Sequence, residues 1–279
     1  MQSYADIAGI KIGDTYPVRI MGVINVSPES FFKGSVFSSE DALKRVAERL
    51  VKEGAAIIDV GARGTAPYLK TDISVEEEGA RLTHAIEIIR EVTDVPISAD
   101  TQSAIVAEAA LQAGASIIND VSGLAHDAAM ADVAKKYQGV ILMAHADYTA
   151  MEGNPVSVVH TSLTAALKRA EQAGIARDKI VLDPGLGFFR NRDISWDQWD
   201  RIILQQLSQF HSFGKPLLIG ISRKSFIGKI LGHANPDDRL YGSLGLTALS
   251  VLQGIHLIRT HDVAATRDVV KITEWFKEE

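Results

Sequence analysis

The chain has 279 residues, 46% of them hydrophobic and 23% charged, with a formal charge of −6. That balance excludes disorder as the main state and gives no general electrostatic pull toward nucleic acid or an anionic membrane. The absence of cysteine excludes disulfides, thiolate metal sites and cysteine nucleophiles, and fits a reducing compartment. The most apolar long stretch, 244–258, is broken by Ser250, Gln253 and His256 and is too short for a membrane span. The N-terminus shows no basic head followed by an apolar run, so a cytoplasmic protein is the expectation.

Residues 1–17 stand apart as an N-terminal extension, where IKIGD with Gly13-Asp14 suits a short hairpin. From residue 18 to 279, eight apolar, β-branched runs follow one another: 18–26, 55–61, 95–101, 115–121, 139–145, 179–185, 216–222 and 255–261. Continuous apolar runs of this length suit strands buried on both faces of a parallel sheet. Helical patterns lie between them: one from Ser39 to Gly54, one from Ser74 on, then roughly 102–113, 127–137, 161–174, 197–212, 240–253 and 263–277. Strict alternation of eight strand–helix pairs predicts an α/β fold, a single (β/α)8 barrel, with a doubly wound open sheet as the alternative. The longest irregular stretches, near 26–38, 61–74, 145–160 and 185–196, all follow a strand and precede a helix. In a barrel they gather on the C-terminal face, where barrel enzymes carry their sites.

Each strand run ends in polar residues: Asn25, Asp59, Asp100, Asn119 with Asp120, His145, Asp183, Ser222-Arg223-Lys224, and Arg259 with His261. Packing does not require them, so they predict a polar cavity at one mouth. Carboxylates and an amide at Asp100, Asn119 and Asp183 can read a flat heterocycle with an amidine-like edge. Ser222, Arg223, Lys224, Arg259 and His261 form a basic group in an acidic chain. Gly220 and Gly228 around the first three allow a tight turn into a helix, an arrangement suited to phosphate or diphosphate. Asn25 and Asp100 could give oxygen ligands to Mg2+, which needs few protein groups when phosphates supply the rest.

Seven segments in order resemble dihydropteroate synthase, of the pterin-binding barrel superfamily: MGVINVSPESF (21–31), GAAIIDVG (54–61), ISADT (97–101), IINDVSG (117–123), LDPGLGF (182–188), ISRKSFIG (221–228) and RTHDV (259–263). The resemblance implies a transferase that joins 6-hydroxymethyl-7,8-dihydropterin diphosphate to 4-aminobenzoate and releases diphosphate, with Mg2+ assisting. It implies that Asp183, Asn119 and Asp100 bind the pterin, that Lys224 contacts the ring, and that Asn25 is the ligand to diphosphate and Mg2+. Thr65, Arg63, Ser222, Arg223, Arg259 and His261 would line the acceptor and anion positions, with Met143 and Phe188 as apolar walls. It also implies a homodimer through late helices, for which Leu244, Leu246, Ala248, Leu249 and Leu252 offer apolar faces.

The departures from the family pattern fall on the acceptor side. GGESTRP becomes GARGTAP (61–67), so Ala66 stands where an arginine is expected, and Lys33 replaces an acid in ESFFKGS (29–35). The usual MHM becomes MAHAD (143–147). Extra charge at Lys33 and Arg63 would suit a phosphorylated arylamine such as the ribofuranosylaminobenzene phosphate of methanopterin synthesis. Two further readings are a methyltetrahydropterin:corrinoid methyltransferase, which needs no diphosphate site, and a non-catalytic pterin-binding paralogue.

Overall fold

The structure, a computed structural model, describes residues 2–26, 36–63, 73–145, 153–189 and 193–277, the side chains of 36–39 excepted. Two short strands, β1 (Tyr4–Ile7) and β2 (Ile10–Gly13), pair antiparallel as a hairpin. Eight parallel strands follow: β3 (Arg19–Asn25), β4 (Ile57–Gly61), β5 (Ile97–Asp100), β6 (Ile117–Asp120), β7 (Gly139–Met143), β8 (Ile180–Asp183), β9 (Leu218–Gly220) and β10 (Leu257–Thr260). They are hydrogen-bonded in the order β8-β7-β6-β5-β4-β3-β10-β9. A bridge between Leu182 and Leu217 then brings β8 to the start of β9, where Leu182 N–H donates to Pro216 C=O at 3.0 Å. The barrel read from the alternation is therefore the fold, with its hairpin, and the open sheet is set aside.

Period-two geometry divides each strand between two cores. Met21, Ile57, Ile117, Ile141, Val181, Leu218 and Leu257 point inward and pack with Ala5, Ile7 and Ile12 of the hairpin. Their neighbours Ile20, Ile58, Ile118, Leu142, Leu182, Ile219 and Ile258 point outward into the larger core beneath the helices. The hairpin thus plugs the N-terminal mouth. Gly139 lets it seat closely, since a Cβ there would lie 2.5 Å from Ile7 Cβ. Asp14 fastens the plug by accepting from Ser3 N–H at 2.7 Å and from His256 Nε2 at 2.8 Å. Leu217 N–H donates to His256 Nδ1 at 3.0 Å, which leaves the proton on Nε2.

The helices are α1 (Val36–Glu53), α2 (Val75–Arg90), α3 (Ala104–Gln112), α4 (Met130–Ala134), α5 (Pro155–Ala173), α6 (Trp196–Gln205), α7 (Ser225–Leu231), α8 (Leu240–Leu252) and α9 (Val263–Trp275). Their starts are chemically marked: Ser74 accepts from Glu77 N–H, and Asn154 caps α5 ahead of Pro155. Three elements differ from the sequence pattern. The 127–137 pattern yields only α4, ahead of which Asp127 accepts from the Ala104 and Ala129 N–H groups at 2.8 and 2.9 Å. The 197–212 pattern splits into α6 and a 3-10 segment, Leu207–Phe213, whose three-residue period turns Leu207 and Phe210 together into the core. After β9 the chain inserts α7 and a 3-10 turn, Pro236–Arg239, before α8.

Candidate functional site

The C-terminal mouth is polar because inward positions that hold Ile or Leu one layer down hold charged and amide groups here. Asp59 follows Ile57 on the inner face of β4, Asn119 follows Ile117 on β6, Asp183 follows Val181 on β8 and Arg259 follows Leu257 on β10. Arg259 is the central cation. Its Nε donates to Asp59 Oδ2 at 2.6 Å and its Nη2 to Asp100 Oδ2 at 2.9 Å. Asn119 Nδ2 lies 3.4 and 3.5 Å from the two Asp59 oxygens.

Asp100 is 6% exposed, and its Oδ1 is buried without a hydrogen-bond partner among the described residues. Burial and the neighbouring Asp59 carboxylate push its pKa up to about 7 in spite of Arg259. Asp183 is pushed up to about 6 by burial, against the opposing pull of Gly185 N–H, Lys224 and Arg259. Its Oδ1 accepts from Gly185 N–H at 2.7 Å. Buried polar atoms are seldom left unpaired, so an orphan acceptor beside a second raised carboxyl describes a well built for N–H donors brought by a ligand.

One wall of the well is Lys224 and Phe188, with Lys224 Nζ 4.7 Å from the ring centroid. The loop beneath is fixed from α6: Gly187 N–H donates to the buried Asp200 Oδ1 at 2.8 Å. Gly187 has φ +80°, and a Cβ there would crowd the Lys224 stem at 3.2 Å, so the lysine rests on bare backbone. Met143, in register with Asp183, is buried behind this loop. On the neighbouring part of the rim Ser222 Oγ is 2.9 Å from His261 Nδ1 and accepts from His261 N–H at 3.2 Å. Desolvation and the charge of Arg259 lower the His261 pKa to about 4, so the ring is neutral at neutral pH.

Residues 21–261 match the pterin-binding enzyme family. The dihydropteroate synthase of Escherichia coli K12 is 38% identical over 269 residues, covering 92% of this chain and 90% of that protein. Among solved structures, Xanthomonas albilineans dihydropteroate synthase with 4-aminobenzoic acid superposes at TM-score 0.89, with 33% identity and 100% of both chains covered. The same organism's enzyme with 7,8-dihydropteroate gives TM-score 0.86 at 32% identity, with 99% of each chain covered. The chain belongs to the dihydropteroate synthase family. As an enzyme it is a transferase.

Within this family member the structure gathers Asp100, Asn119, Asp183, Arg259, Lys224 and Phe188 at one mouth, with Met143 behind the Phe188 loop and Ser222 and His261 on the rim. Asn25 ends β3 in register with Gly61 and is exposed at the same mouth. Two predicted cations face elsewhere. Arg223 pairs with Asp262 and Asp237, and Arg63 Nη1 lies 3.8 Å from Glu78 Oε2. Thr65, Lys33 and Ala66 lie outside the described residues. Among the described residues no group of three or more His, Cys, Asp or Glu could hold a metal. A single amide such as Asn25 fits an ion that arrives on substrate oxygens.

Two residues of the site escape the candidate list drawn from the sequence. Asp59 is visible there only as one polar strand end, although its spacing of two from Ile57 already marks the inner face. Glu78 looks like one more acid in a helix-opening Glu-Glu-Glu run. In the structure it is 3% exposed, accepts from Thr101 Oγ1 at 2.6 Å and faces Arg63. The signal that separates it from Glu76 and Glu77 is its place four residues before Leu82, on the apolar stripe of α2.

Proposed function

We propose that this chain joins the exocyclic carbon of 6-hydroxymethyl-7,8-dihydropterin diphosphate to the amine of 4-aminobenzoate. The carbon–oxygen bond to diphosphate breaks, a carbon–nitrogen bond forms, and the amine gives up a proton. What supports this reading is the polar mouth: a buried, unpartnered Asp100 oxygen, with Asn119 and Asp183 at the C-terminal ends of β6 and β8. The ionised Asp183 would accept two parallel N–H bonds from the aminopyrimidinone edge, and Asp100 and Asn119 would take the remaining ring donors and acceptors. Lys224 and Phe188 would flank the ring.

Departure of diphosphate separates charge, so groups that are fixed beforehand stabilise it most. Arg259 is such a group, held rigid by Asp59 and Asp100. Asn25 would take a ligand position on Mg2+ delivered with the diphosphate. When bound, that ion would neutralise part of the leaving group's charge. Neutral His261, paired with Ser222, would line the rim where the arylamine enters. Arg63 faces Glu78, so its charge is not free for a phosphorylated arylamine; the plain aminobenzoate is the acceptor we infer.

We further propose that two copies pair through α7 and α8, where Ile230, Leu231, Leu249 and Leu252 are exposed beside Tyr241, itself 83% exposed. Light scattering of the purified chain at twice the monomer mass supports this, and monomer mass removes it. For the reaction, purified chain is given dihydropterin diphosphate and Mg2+, with and without each arylamine, and diphosphate is measured. Release that requires 4-aminobenzoate supports the reading. Preference for the phosphorylated amine overturns the acceptor, and no release with either amine overturns the synthase.

A further inference from the structure

We propose that Arg223 is a positioning residue: it clamps the turn bearing Ser222 and Lys224, after β9, to the neighbouring loop bearing His261, after β10, so that these two parts of the mouth keep one spacing. The inference rests on the reading above that this cavity is where transfer occurs. By sequence Arg223 is one more cation for an anion site. Its surroundings assign it different work.

The backbone of Arg223 has φ +55°, a left-handed conformation that bulky L-residues rarely adopt. Strained backbone persists where the surroundings over-determine it, and here they do. Nε and Nη2 donate to the two oxygens of Asp262 at 2.9 and 2.7 Å. Nη1 pairs with Asp237 in the 3-10 turn ahead of α8. The backbone N–H donates to Ser243 Oγ at 2.9 Å, and the carbonyl accepts from Arg239 Nη1 at 3.1 Å. Every polar group of the residue is thus held by another segment.

The consequence falls on its neighbours. A left-handed residue between them sends Ser222 and Lys224 in different directions: Ser222 to His261, Lys224 over Phe188. Asp262, the carboxylate gripped by the planar fork, directly follows His261, and the N–H of Asp262 is held by Thr260 Oγ1 at 3.1 Å. The grip therefore sets where the β10 loop stands relative to the lysine. The pterin-binding groups Asp100, Asn119 and Asp183 sit on strands and do not depend on it.

The test compares the full-length wild type with Arg223→Gly, Arg223→Lys and Asp262→Asn, by initial rates and thermal melting. Glycine accepts the positive φ freely, so Arg223→Gly relieves the strain while removing the fork. With the loops out of register kcat falls about 10- to 100-fold, the KM for the pterin substrate stays within about threefold, and Tm is nearly unchanged. Arg223→Lys recovers part of the rate, because it keeps the charge without the fork. Asp262→Asn loses a similar factor, and the Arg223→Gly/Asp262→Asn pair loses no more than the larger single loss. Wild-type kcat in the glycine variant, additive losses in the pair, or Tm falling in step with kcat overturns the clamp. An inactive wild type overturns the proposed function and the clamp with it. Should the glycine variant not fold, Asp262→Asn, which leaves the turn residue in place, decides by the same split of kcat against KM.

Discussion

The two mouths of the barrel are the opposite ends of the same eight strands, yet they are finished in opposite ways. At the N-terminal mouth Ile7 and Ile12 of a hairpin close on Ile57, Ile117 and Val181, and the polar groups, Asp14 and His256, are spent on fastening the plug. At the C-terminal mouth Asp59, Asp100 and Asp183 end their strands as buried acids, and one Asp100 oxygen has no partner among the described residues. Burial of apolar side chains stabilises the first end at about 25 cal/mol per Å2. Carboxylates with raised pKa values weigh against folding at the second. The difference shows where this fold gains its stability and where part of that gain is spent on chemistry.

Variants at each mouth sharpen that contrast. The largest effect is predicted for Arg259→Met, which leaves Asp59 and Asp100 buried without their cation. Denaturant titration should show a loss of about 3–5 kcal/mol, with turnover abolished. Stability unchanged by the substitution would mean that Arg259 is not what makes burial of these acids tolerable. At the plug, Ile7→Ala should cost about 2–4 kcal/mol, again by denaturant, while pterin affinity measured by calorimetry at a temperature well below Tm stays the same. A drop in affinity would show that the mouths are coupled. Asp183→Asn reverses the pattern: affinity for the pterin falls about 100-fold as charge-assisted hydrogen bonds are lost, and stability is level or higher.

The smallest and most discriminating effect is pH. Asp183 and Asp100, raised from 3.8 to about 6 and about 7, bind protons in the folded chain that the unfolded chain has released. Their contribution to stability therefore falls as pH rises from about 4 to 7. Asp14 and His256 are shifted down from 3.8 and 6.5, Asp14 by its hydrogen bonds to His256 and Ser3 overcoming desolvation, His256 by desolvation. The unfolded chain protonates first at these positions, so the contribution of the plug falls as pH drops below about 6.5. Hydrogen-exchange protection at pH 5 relative to pH 7 should decrease in the hairpin amides and hold or increase in the β5 amides that lead to Asp100. Parallel changes at both sites would break the comparison. Pterin affinity should rise from pH 5 to 7 as Asp183 ionises, and Asp183→Asn should flatten that rise.

Sequence alone determined the alternation of eight apolar runs with helices, because period and composition are local properties. It also placed the polar residues at one end of each run, and with them Asp100, Asn119, Asp183 and Lys224. Only the tertiary structure decided how the charges are apportioned. Arg223 and Arg63 read identically to Arg259 as loop or strand-end cations, but their partners, Asp262, Asp237 and Glu78, lie 14 to 39 residues away. Asp59 became the partner of an arginine 200 residues later. Which of several equivalent charges faces a substrate and which braces the scaffold depends on distances across the closed barrel, and those distances exist only once the chain has folded.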